Sequence, residues 1–276
     1  PYTTLFRSDP DYGVLFEKGV SADLNGHFQI ELPALAASFD PISITIASGT
    51  NRVDVSDILA GEVWLCMGGD NMALPVKAAA NHRHMIDQAN TPYVRFFAVD
   101  PHFAQGLPDT PKTDFPDGHW VYGDEPDEVS ERSAIAFTFA RELCPELHVP
   151  VAVIDLAVRQ SYLHAFLPKQ VIEADPRIKS HVETLGFSLD DTENKLSDRL
   201  LPDHPSALYN ALIAPLAGLG AQGILWMHGE VDFPHPAVYG IGFTRLLNHL
   251  DQLMRPASGH HLCLIYALLP PFYTGF

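Results

Sequence analysis

The sequence predicts an α/β fold in which helices cover both faces of a mostly parallel sheet, preceded by a small antiparallel β segment. Three observations support this prediction. Apolar and polar side chains alternate with a period of two in residues 9–60, which is typical of half-buried antiparallel strands. From Gly61 onward, short apolar runs alternate with stretches of helical periodicity, which favours parallel strands joined by crossover helices. The apolar fraction of 46% suffices for a packed core.

The amino-terminal segment contains the predicted antiparallel strands. Apolar residues occupy every second position in residues 27–32, which predicts one strand. The same alternation in residues 42–46 and 53–55 predicts two more strands. Residues 48–51, with the sequence S-G-T-N, predict a hairpin turn between these two strands.

After Gly61 the predicted elements alternate in type. Strands are predicted at residues 63–66, 93–99, 149–156, 224–227 and 260–269, the last of them buried. Helices are predicted at residues 76–86, 208–216 and 243–253. Ser130 is predicted to cap a further helix, whose apolar face would carry Ile135, Phe139, Leu143 and Leu147. Ligands of such folds bind outside the carboxyl ends of the strands, which draws attention to the loops after Cys66, Leu156 and Met227.

Both ends of the chain have unusual sequences. Residues 1–8 read PYTTLFRS, which resembles the translation of a common sequencing-library adapter, and we interpret them as an artefact of that origin. The predicted organisation is then a β-rich segment at residues 9–60 and an α/β domain at residues 61–276. Because the last predicted strand is followed by no closing element, we expect this domain to be truncated at its carboxyl end.

The charge balance excludes several classes of partner. The chain has 34 acidic residues against 17 Lys and Arg, for a formal net charge of −17, and no cluster of basic residues. A negative field repels phosphate groups, so we expect neither nucleic acid nor a membrane surface as partner. The long uncharged stretch at residues 205–229 is interrupted by Pro215 and three glycines, which predicts a helix and a strand rather than a membrane span.

Residues 61–72, with the sequence GEVWLCMGGDNM, resemble the first motif of the sialate O-acetylesterase family of SGNH hydrolases, which reads GEVWLCSGQSNM. Further similarity occurs at residues 94–97, at 140–143 with 149–151, at 205–210 with 213–216, and at 223–226 with 229–230. The resemblance implies a three-layer α/β/α SGNH-hydrolase (flavodoxin-like) domain. It also implies an O-acetylated sugar or sialic acid as ligand, no cofactor, and a location outside the cytoplasm.

The resemblance also assigns the positions of the site. In the family a serine attacks the acetyl ester, while a glycine amide and an asparagine stabilise the oxyanion. A histidine from a late D-x-x-H motif acts as base. The serine position falls on Asp70, the glycine position on Arg159 or Gln160, and the asparagine position on Asp232. The histidine is expected beyond Phe276. The neighbouring residues expected to line the pocket are Gly68, Gly69, Asn71, Ser161, His228 and Glu230.

These replacements predict a protein that is catalytically impaired or inactive, with a carbohydrate-binding or structural role. A hydroxyl nucleophile is missing, and an ionised carboxylate repels an oxyanion instead of donating to it. The alternative is an active esterase that uses a displaced nucleophile such as Ser161. Two acids in one cleft repel each other, so we expect one raised pKa and either Arg159 or a bound cation between Asp70 and Asp232.

Two further hypotheses concern the acidic residues. Asp70, Asp232 and Glu230, together with His228 or His235, are residue types that bind metal ions, but paired structural charges are the preferred interpretation and no metal site is predicted. Asp232 and His235 have the D-x-x-H spacing of a catalytic motif. Because so short a pattern arises easily by chance, we interpret it as a loop that leads to a helix near Pro236.

Overall fold

The computed structural model describes residues 3–7, 16–30, 35–99, 111–115, 118–189, 203–254 and 261–269. The chain divides into two compact units. The first comprises Pro1–Glu62 and Cys144–Pro150, and the second comprises Val63–Leu143 and Val151–Phe276.

The first unit contains an antiparallel sheet. Its strands are β1 (Thr3–Arg7), β2 (Lys18–Ser21), β3 (Ser38–Ser48) and β4 (Asn51–Ala60), in the order β2-β1-β3-β4. The predicted hairpin is confirmed, since Ser48 pairs with Asn51 across a two-residue turn in which Gly49 has a φ of +60°. Although β1 lies within residues 1–8, strand pairing does not report where a sequence came from, and their adapter origin stays a prediction.

A six-stranded sheet forms the centre of the second unit. Its strands are β5 (Glu62–Gly68), β6 (Thr91–Ala98), β7 (His119–Gly123), β8 (Val151–Asp155), β9 (Gly223–Met227) and β10 (Cys263–Tyr266), in the order β10-β9-β5-β8-β6-β7. The pairs β10–β9, β9–β5 and β8–β6 are parallel, whereas β7 is antiparallel to β6. Leu65, Cys66 and Met67 of β5 are fully buried, as expected for a central strand with both faces covered.

Helices surround this sheet. They are α1 (His82–Asp87), α2 (Pro126–Ser130), α3 (Ala134–Leu147), α4 (Lys169–Ala174), α5 (Pro176–Thr184) and α6 (Pro236–Leu253). The predicted helix at residues 208–216 consists of a π-helical turn, Tyr209–Ile213, and a 3₁₀ turn, Ala214–Leu216. Residues 76–86 likewise form a 3₁₀ turn, Val76–Ala78, followed by α1. No helix in the described ranges is long and apolar enough to cross a membrane.

A buried carboxylate fixes the start of α5. Asp175 precedes the helix and accepts a hydrogen bond from the Arg177 backbone N–H at 3.2 Å. Its side chain is 4% exposed and pairs with the guanidinium groups of Arg177 at 2.8 Å and Arg245 at 3.4 Å. Since Arg245 belongs to α6, Asp175 ties α5 to α6. The hydrogen bond from Arg177 holds the pKa of Asp175 well below its ordinary value.

Three local predictions are wrong. The described part of the strand predicted at residues 27–32, residues 27–30, is not a strand, and Phe28 is exposed. The cap of α3 is Ser133, whose Oγ accepts the Ala136 N–H at 3.2 Å, while Ser130 ends α2. The predicted apolar face of α3 is also misplaced, because the buried residues of this helix are Ala134, Ala136, Phe137, Ala140 and Cys144.

The last predicted strand is an edge strand. The part of residues 260–269 that forms a strand is β10, which pairs with β9. The predicted burial of this strand is wrong, since Ile265, Tyr266 and Leu268 are exposed. A period-two pattern indicates a β-strand, but it does not show whether another element of the fold covers that strand.

Candidate functional site

Three adjacent loops carry the residues that the sequence singles out. They follow β5, β8 and β9, which are neighbours in the sheet with β5 in the middle. Asp70 lies two residues after β5, Arg159 and Gln160 follow β8, and Asp232 follows β9. Because neighbouring parallel strands end at the same edge of a sheet, these loops meet at one place, where ligands bind in folds of this kind.

Asp70 contacts the loop after β8 through both carboxylate oxygens. Its Oδ1 lies 3.3 Å from Arg159 Nε, and its Oδ2 accepts a hydrogen bond from the Gln160 backbone N–H at 3.3 Å. The Arg159 side chain is 66% exposed and that of Asp70 is 31% exposed, so water screens the ion pair. Arg159 thus contacts Asp70, one of the two acids between which it was expected to lie.

Glu230 joins the loop after β9 to the loop after β5. Its Oε1 accepts hydrogen bonds from the Asn71 backbone N–H at 2.9 Å and from Asn71 Nδ2 at 2.8 Å. The fit depends on glycine, since a Cβ atom on Gly69 would lie 2.4 Å from Glu230 Oε2. A Cβ atom on Gly68 would lie 2.0 Å from the Met227 carbonyl oxygen. The glycine pair thus allows close contact between the two loops.

Asp232 has partners other than Arg159. Its Oδ2 accepts the Leu163 backbone N–H at 2.9 Å and lies 3.8 Å from His228 Nδ1. Burial, reinforced by the negative charge of Glu230, raises the pKa of Asp232 to about 6. The pKa of Asp232 is thus raised, but by burial and Glu230 and not by the expected repulsion from Asp70. Of the two acids between which Arg159 was expected, the structure pairs it with Asp70, while the hydrogen-bond donor to Asp232 is the Leu163 backbone N–H.

His228 is a buried neutral histidine. Its side chain is 0% exposed, and its Nε2 lies 3.0 Å from the Ser161 carbonyl oxygen, which requires that Nε2 carries the proton. Its Nδ1 has no hydrogen-bond partner within the described ranges. The Tyr239 ring stacks on the imidazole with centroids 5.7 Å apart. Burial lowers the pKa of His228 to about 3, so the imidazole is uncharged at neutral pH.

Ser161 is poorly placed to act as a nucleophile. It is 2% exposed, and its Oγ donates to the Val158 carbonyl oxygen at 2.7 Å. Its Oγ is 3.4 Å from His228 Nε2, but that nitrogen donates to the carbonyl oxygen of Ser161 itself. A protonated nitrogen cannot accept the hydroxyl proton. These contacts do not favour the displaced-nucleophile alternative.

His235 lies where α6 begins. Pro236 is the first residue of α6, which confirms that residues 232–235 lead into a helix start. The His235 ring contacts that of His181 with centroids 4.6 Å apart. As to the metal hypothesis, no group of three His, Cys, Asp or Glu side chains in the described part of the chain is arranged to hold a metal ion.

Sequence reasoning missed two residues of this site. Leu163 contributes its backbone N–H to Asp232, and a backbone donor leaves no side-chain pattern to recognise. Tyr239 covers His228 and donates its hydroxyl to the His228 carbonyl oxygen at 3.2 Å. Its place in the first turn of α6 after the D-x-x-H segment is a signal that could have pointed to it.

Comparisons with known proteins address the resemblance. No family model matches the chain. The chain is 25% identical over 237 residues to the sialate O-acetylesterase of Mus musculus, covering 78% of this chain and 43% of that protein. It is 27% identical over 217 residues to the sialate O-acetylesterase of Homo sapiens, covering 74% and 38% respectively. The chain is thus similar in sequence to the sialate O-acetylesterases. It spans about two fifths of the length of the curated relatives it matches.

A solved structure supports the fold. The chain aligns with the crystal structure of a carbohydrate acetylesterase from Xanthomonas citri with a TM-score of 0.76 and 24% identity. The alignment covers 96% of this chain and 53% of that one. The predicted α/β fold with a mostly parallel sheet is therefore confirmed.

The similarity to the sialate O-acetylesterases helps to interpret the loop after β8. The family motif has two glycines where this chain has Arg159 and Gln160. Gln160 has a φ of +54°, a left-handed conformation that glycine adopts most easily. Its backbone N–H is also the one that faces Asp70. Both observations match Gln160, rather than Arg159, to a glycine of the motif that the sequence resembles.

Proposed function

We propose that this chain is a carbohydrate-binding relative of the sialate O-acetylesterases in which serine-dependent ester hydrolysis is lost. The observation that carries the proposal is the position of the Asp70 carboxylate. The resemblance aligns Asp70 with the nucleophile of the family, and its carboxylate accepts hydrogen bonds from Arg159 Nε and the Gln160 backbone N–H. The ligand class we propose is an O-acetylated sugar.

The chemistry of ester hydrolysis supports this proposal. A serine esterase needs a hydroxyl that loses its proton on attack, and donors that stabilise the resulting oxyanion. A carboxylate has no proton to lose, and its attack on an acetyl ester would give an anhydride. At the same time, Asp70 accepts the Gln160 N–H, the donor that the oxyanion would need.

The third position of the site adds to the argument. Asp232 replaces the asparagine that donates to the oxyanion in the family. With a pKa raised to about 6, Asp232 is ionised at neutral pH and accepts the Leu163 N–H. An anion in this place repels an oxyanion. Loss of a single oxyanion-hole donor typically reduces the rate by ~10²–10³-fold.

The polar framework between the loops supports retained binding. Glu230 holds the loop after β5 through two hydrogen bonds from Asn71. Arg159 remains 66% exposed beside Asp70, where it can donate to a bound molecule. A site with ordered loops and convergent polar groups is suited to binding even when the groups for chemistry are absent.

Turnover and binding assays on the whole chain test the proposal. Hydrolysis of an aryl acetate and of 9-O-acetyl-N-acetylneuraminic acid should not exceed the rate of an Asp70→Ala variant. Binding of O-acetylated sugars should be measurable by titration calorimetry. Turnover by the wild type that disappears in either Asp70→Ala or Ser161→Ala would contradict the loss of hydrolysis.

A further inference from the structure

A pair of histidines joins α5 to the start of α6. His181 lies on α5, His235 is the residue before α6, and their ring centroids are 4.6 Å apart with the ring planes inclined by 60°. His181 is half-buried and His235 is exposed. Within the part of the chain that the structure describes, neither imidazole makes a hydrogen bond or an ion pair. The contact therefore rests on the packing of the two rings.

The electrostatic neighbours of His181 are other histidines. Burial lowers the pKa of His181, and the charge of His235 lowers it further, so His181 is uncharged at neutral pH. On another side lies His164, whose pKa is lowered to about 4 by burial and, to a smaller extent, by His181. His164 Nε2 donates to the Asp203 carbonyl oxygen at 2.7 Å, so this imidazole supplies no negative charge. Protonation of one of these rings thus opposes protonation of the next.

The carboxylates close to His235 along the chain have other partners. Asp232 Oδ2 accepts the Leu163 backbone N–H, and Glu230 Oε1 accepts two hydrogen bonds from Asn71. The first turn of α6, residues 236–239, has no charged side chain. In residues 228–239, all of which the structure describes, no carboxylate is therefore paired with the His235 ring.

The charged residues of α5 do not balance a charge on His181 either. Lys179 and Glu183 are each two positions from His181, and side chains with this spacing do not face each other on a helix. Asp175, before the first turn, pairs with Arg177 at 2.8 Å and with an arginine of α6 at 3.4 Å. Since hydrogen bonding from Arg177 lowers the pKa of Asp175, these ion pairs persist in mild acid.

We propose that the His181–His235 contact is an acid-sensitive joint, which is closed at neutral pH and opens in mild acid when both imidazoles carry a proton and repel each other. The ion pairs of Asp175 hold the other end of α5, so the opening is local. Because the His235 backbone N–H donates to the Asp232 carbonyl oxygen at 2.8 Å, opening displaces the loop after β9. The inference goes beyond the proposed function and does not depend on which ligand binds.

Hydrogen exchange of the whole chain tests this inference. The Leu185 N–H donates to the His181 carbonyl oxygen and the Tyr239 N–H to the His235 carbonyl oxygen, so both amides report on the joint. The buried Leu156 N–H, at the end of β8, is the internal reference. From pH 7.5 to pH 5 the protection factors of the two reporter amides should fall about threefold or more beyond that of Leu156, because the open joint binds protons that the closed joint does not.

Variants identify the groups responsible. His181→Gln and His235→Gln, alone and together, should remove the additional fall in protection. His84→Gln, which removes an exposed imidazole of α1, is the matched control and should retain it. If His181→Gln fails to fold, the exposed position decides through His235→Gln. An equal fall at all three amides, or an additional fall that persists in the double variant, would overturn the inference. Because no sugar is present, either result leaves the proposed function standing.

Discussion

His228 Nδ1 lies 3.8 Å from Asp232 Oδ2, and both side chains are buried. Since His228 Nε2 donates to the Ser161 carbonyl oxygen, Nδ1 faces the acid with a lone pair. The pKa of Asp232 is raised to about 6 and that of His228 is lowered to about 3, so between these values both groups are neutral. Above pH 6 Asp232 becomes a buried anion beside Glu230, with one backbone amide as its donor.

The Asp232→Asn variant should become more stable relative to the wild type as the pH rises from 4 to 7. The pKa of Asp232 is raised in the folded protein, so the stability that this group contributes is present below its ordinary pKa and is lost as the pH rises through 6. Two pKa units correspond to about 3 kcal/mol at most. Urea unfolding of both proteins across this pH range measures the difference, and a constant difference would contradict the raised pKa.

Asp175→Asn should show the opposite pH dependence and serves as a matched comparison. The pKa of Asp175 is lowered by hydrogen bonding from Arg177, so its contribution is present above the ordinary carboxyl pKa and is lost as the pH falls through the folded-state pKa. The variant should therefore be less stable than the wild type at pH 7 and approach it in strong acid. Equal losses at pH 7 and pH 2 would show that the charge of Asp175 is not what ties α5 to α6.

His228→Gln should stabilise the protein in mild acid. The pKa of His228 is lowered to about 3 in the folded protein, whereas it is about 6.5 in the unfolded chain. Between these values only the unfolded chain binds the proton, so the free energy of unfolding falls as the pH decreases. One such group contributes up to roughly 1.4 kcal/mol per pH unit. Glutamine retains a donor for the Ser161 carbonyl oxygen without this titration. Unfolding curves of the wild type and His228→Gln at pH 4 and pH 7 test this prediction. If both proteins show the same pH dependence of stability, the imidazole of His228 is not a buried neutral group.

Gln160→Gly should raise the free energy of unfolding by about 1 kcal/mol. A residue with a side chain in the left-handed conformation costs roughly 1–2 kcal/mol relative to glycine, part of which is offset by the greater freedom of glycine in the unfolded chain. Gln160→Ala retains Cβ at φ +54° and should show no such gain. Thermal and chemical unfolding would distinguish the two variants. An equal gain in stability for Gln160→Gly and Gln160→Ala would exclude backbone strain at Gln160 as the cause of the gain.

The ion pair of Asp70 and Arg159 should contribute little to stability. With side chains 31% and 66% exposed, a double-mutant cycle of Asp70→Ala and Arg159→Ala should give a coupling energy of about 0.2–1 kcal/mol that decreases with added salt. A coupling energy well above this range, or one that salt does not change, would mean that the pair is shielded from water.

The sequence predicts at which edge of the sheet the site residues lie, but not which atoms they contact. Asp70, Gln160 and Asp232 could be placed at one edge of the sheet because β5, β8 and β9 are short buried runs and parallel neighbours end together. What Asp232 touches could not be predicted, because its donor is the backbone of Leu163. Ser130 and Ser133 are equally good caps by residue type, and only the packing of Ala136, Phe137 and Ala140 selects the second. The same packing buries the face of α3 that carries Ala136, Phe137, Ala140 and Cys144.

The hydrogen bond from the Gln160 amide to Asp70 has a consequence for other anions that could bind this amide. An anion that belongs to the chain is present at an effective concentration on the order of millimolar or above, whatever the solution contains. Free acetate would have to displace this covalently attached carboxylate to reach the same amide. The Gln160 amide is thus occupied by the protein's own side chain, and free carboxylates at low concentration should leave this hydrogen bond unchanged.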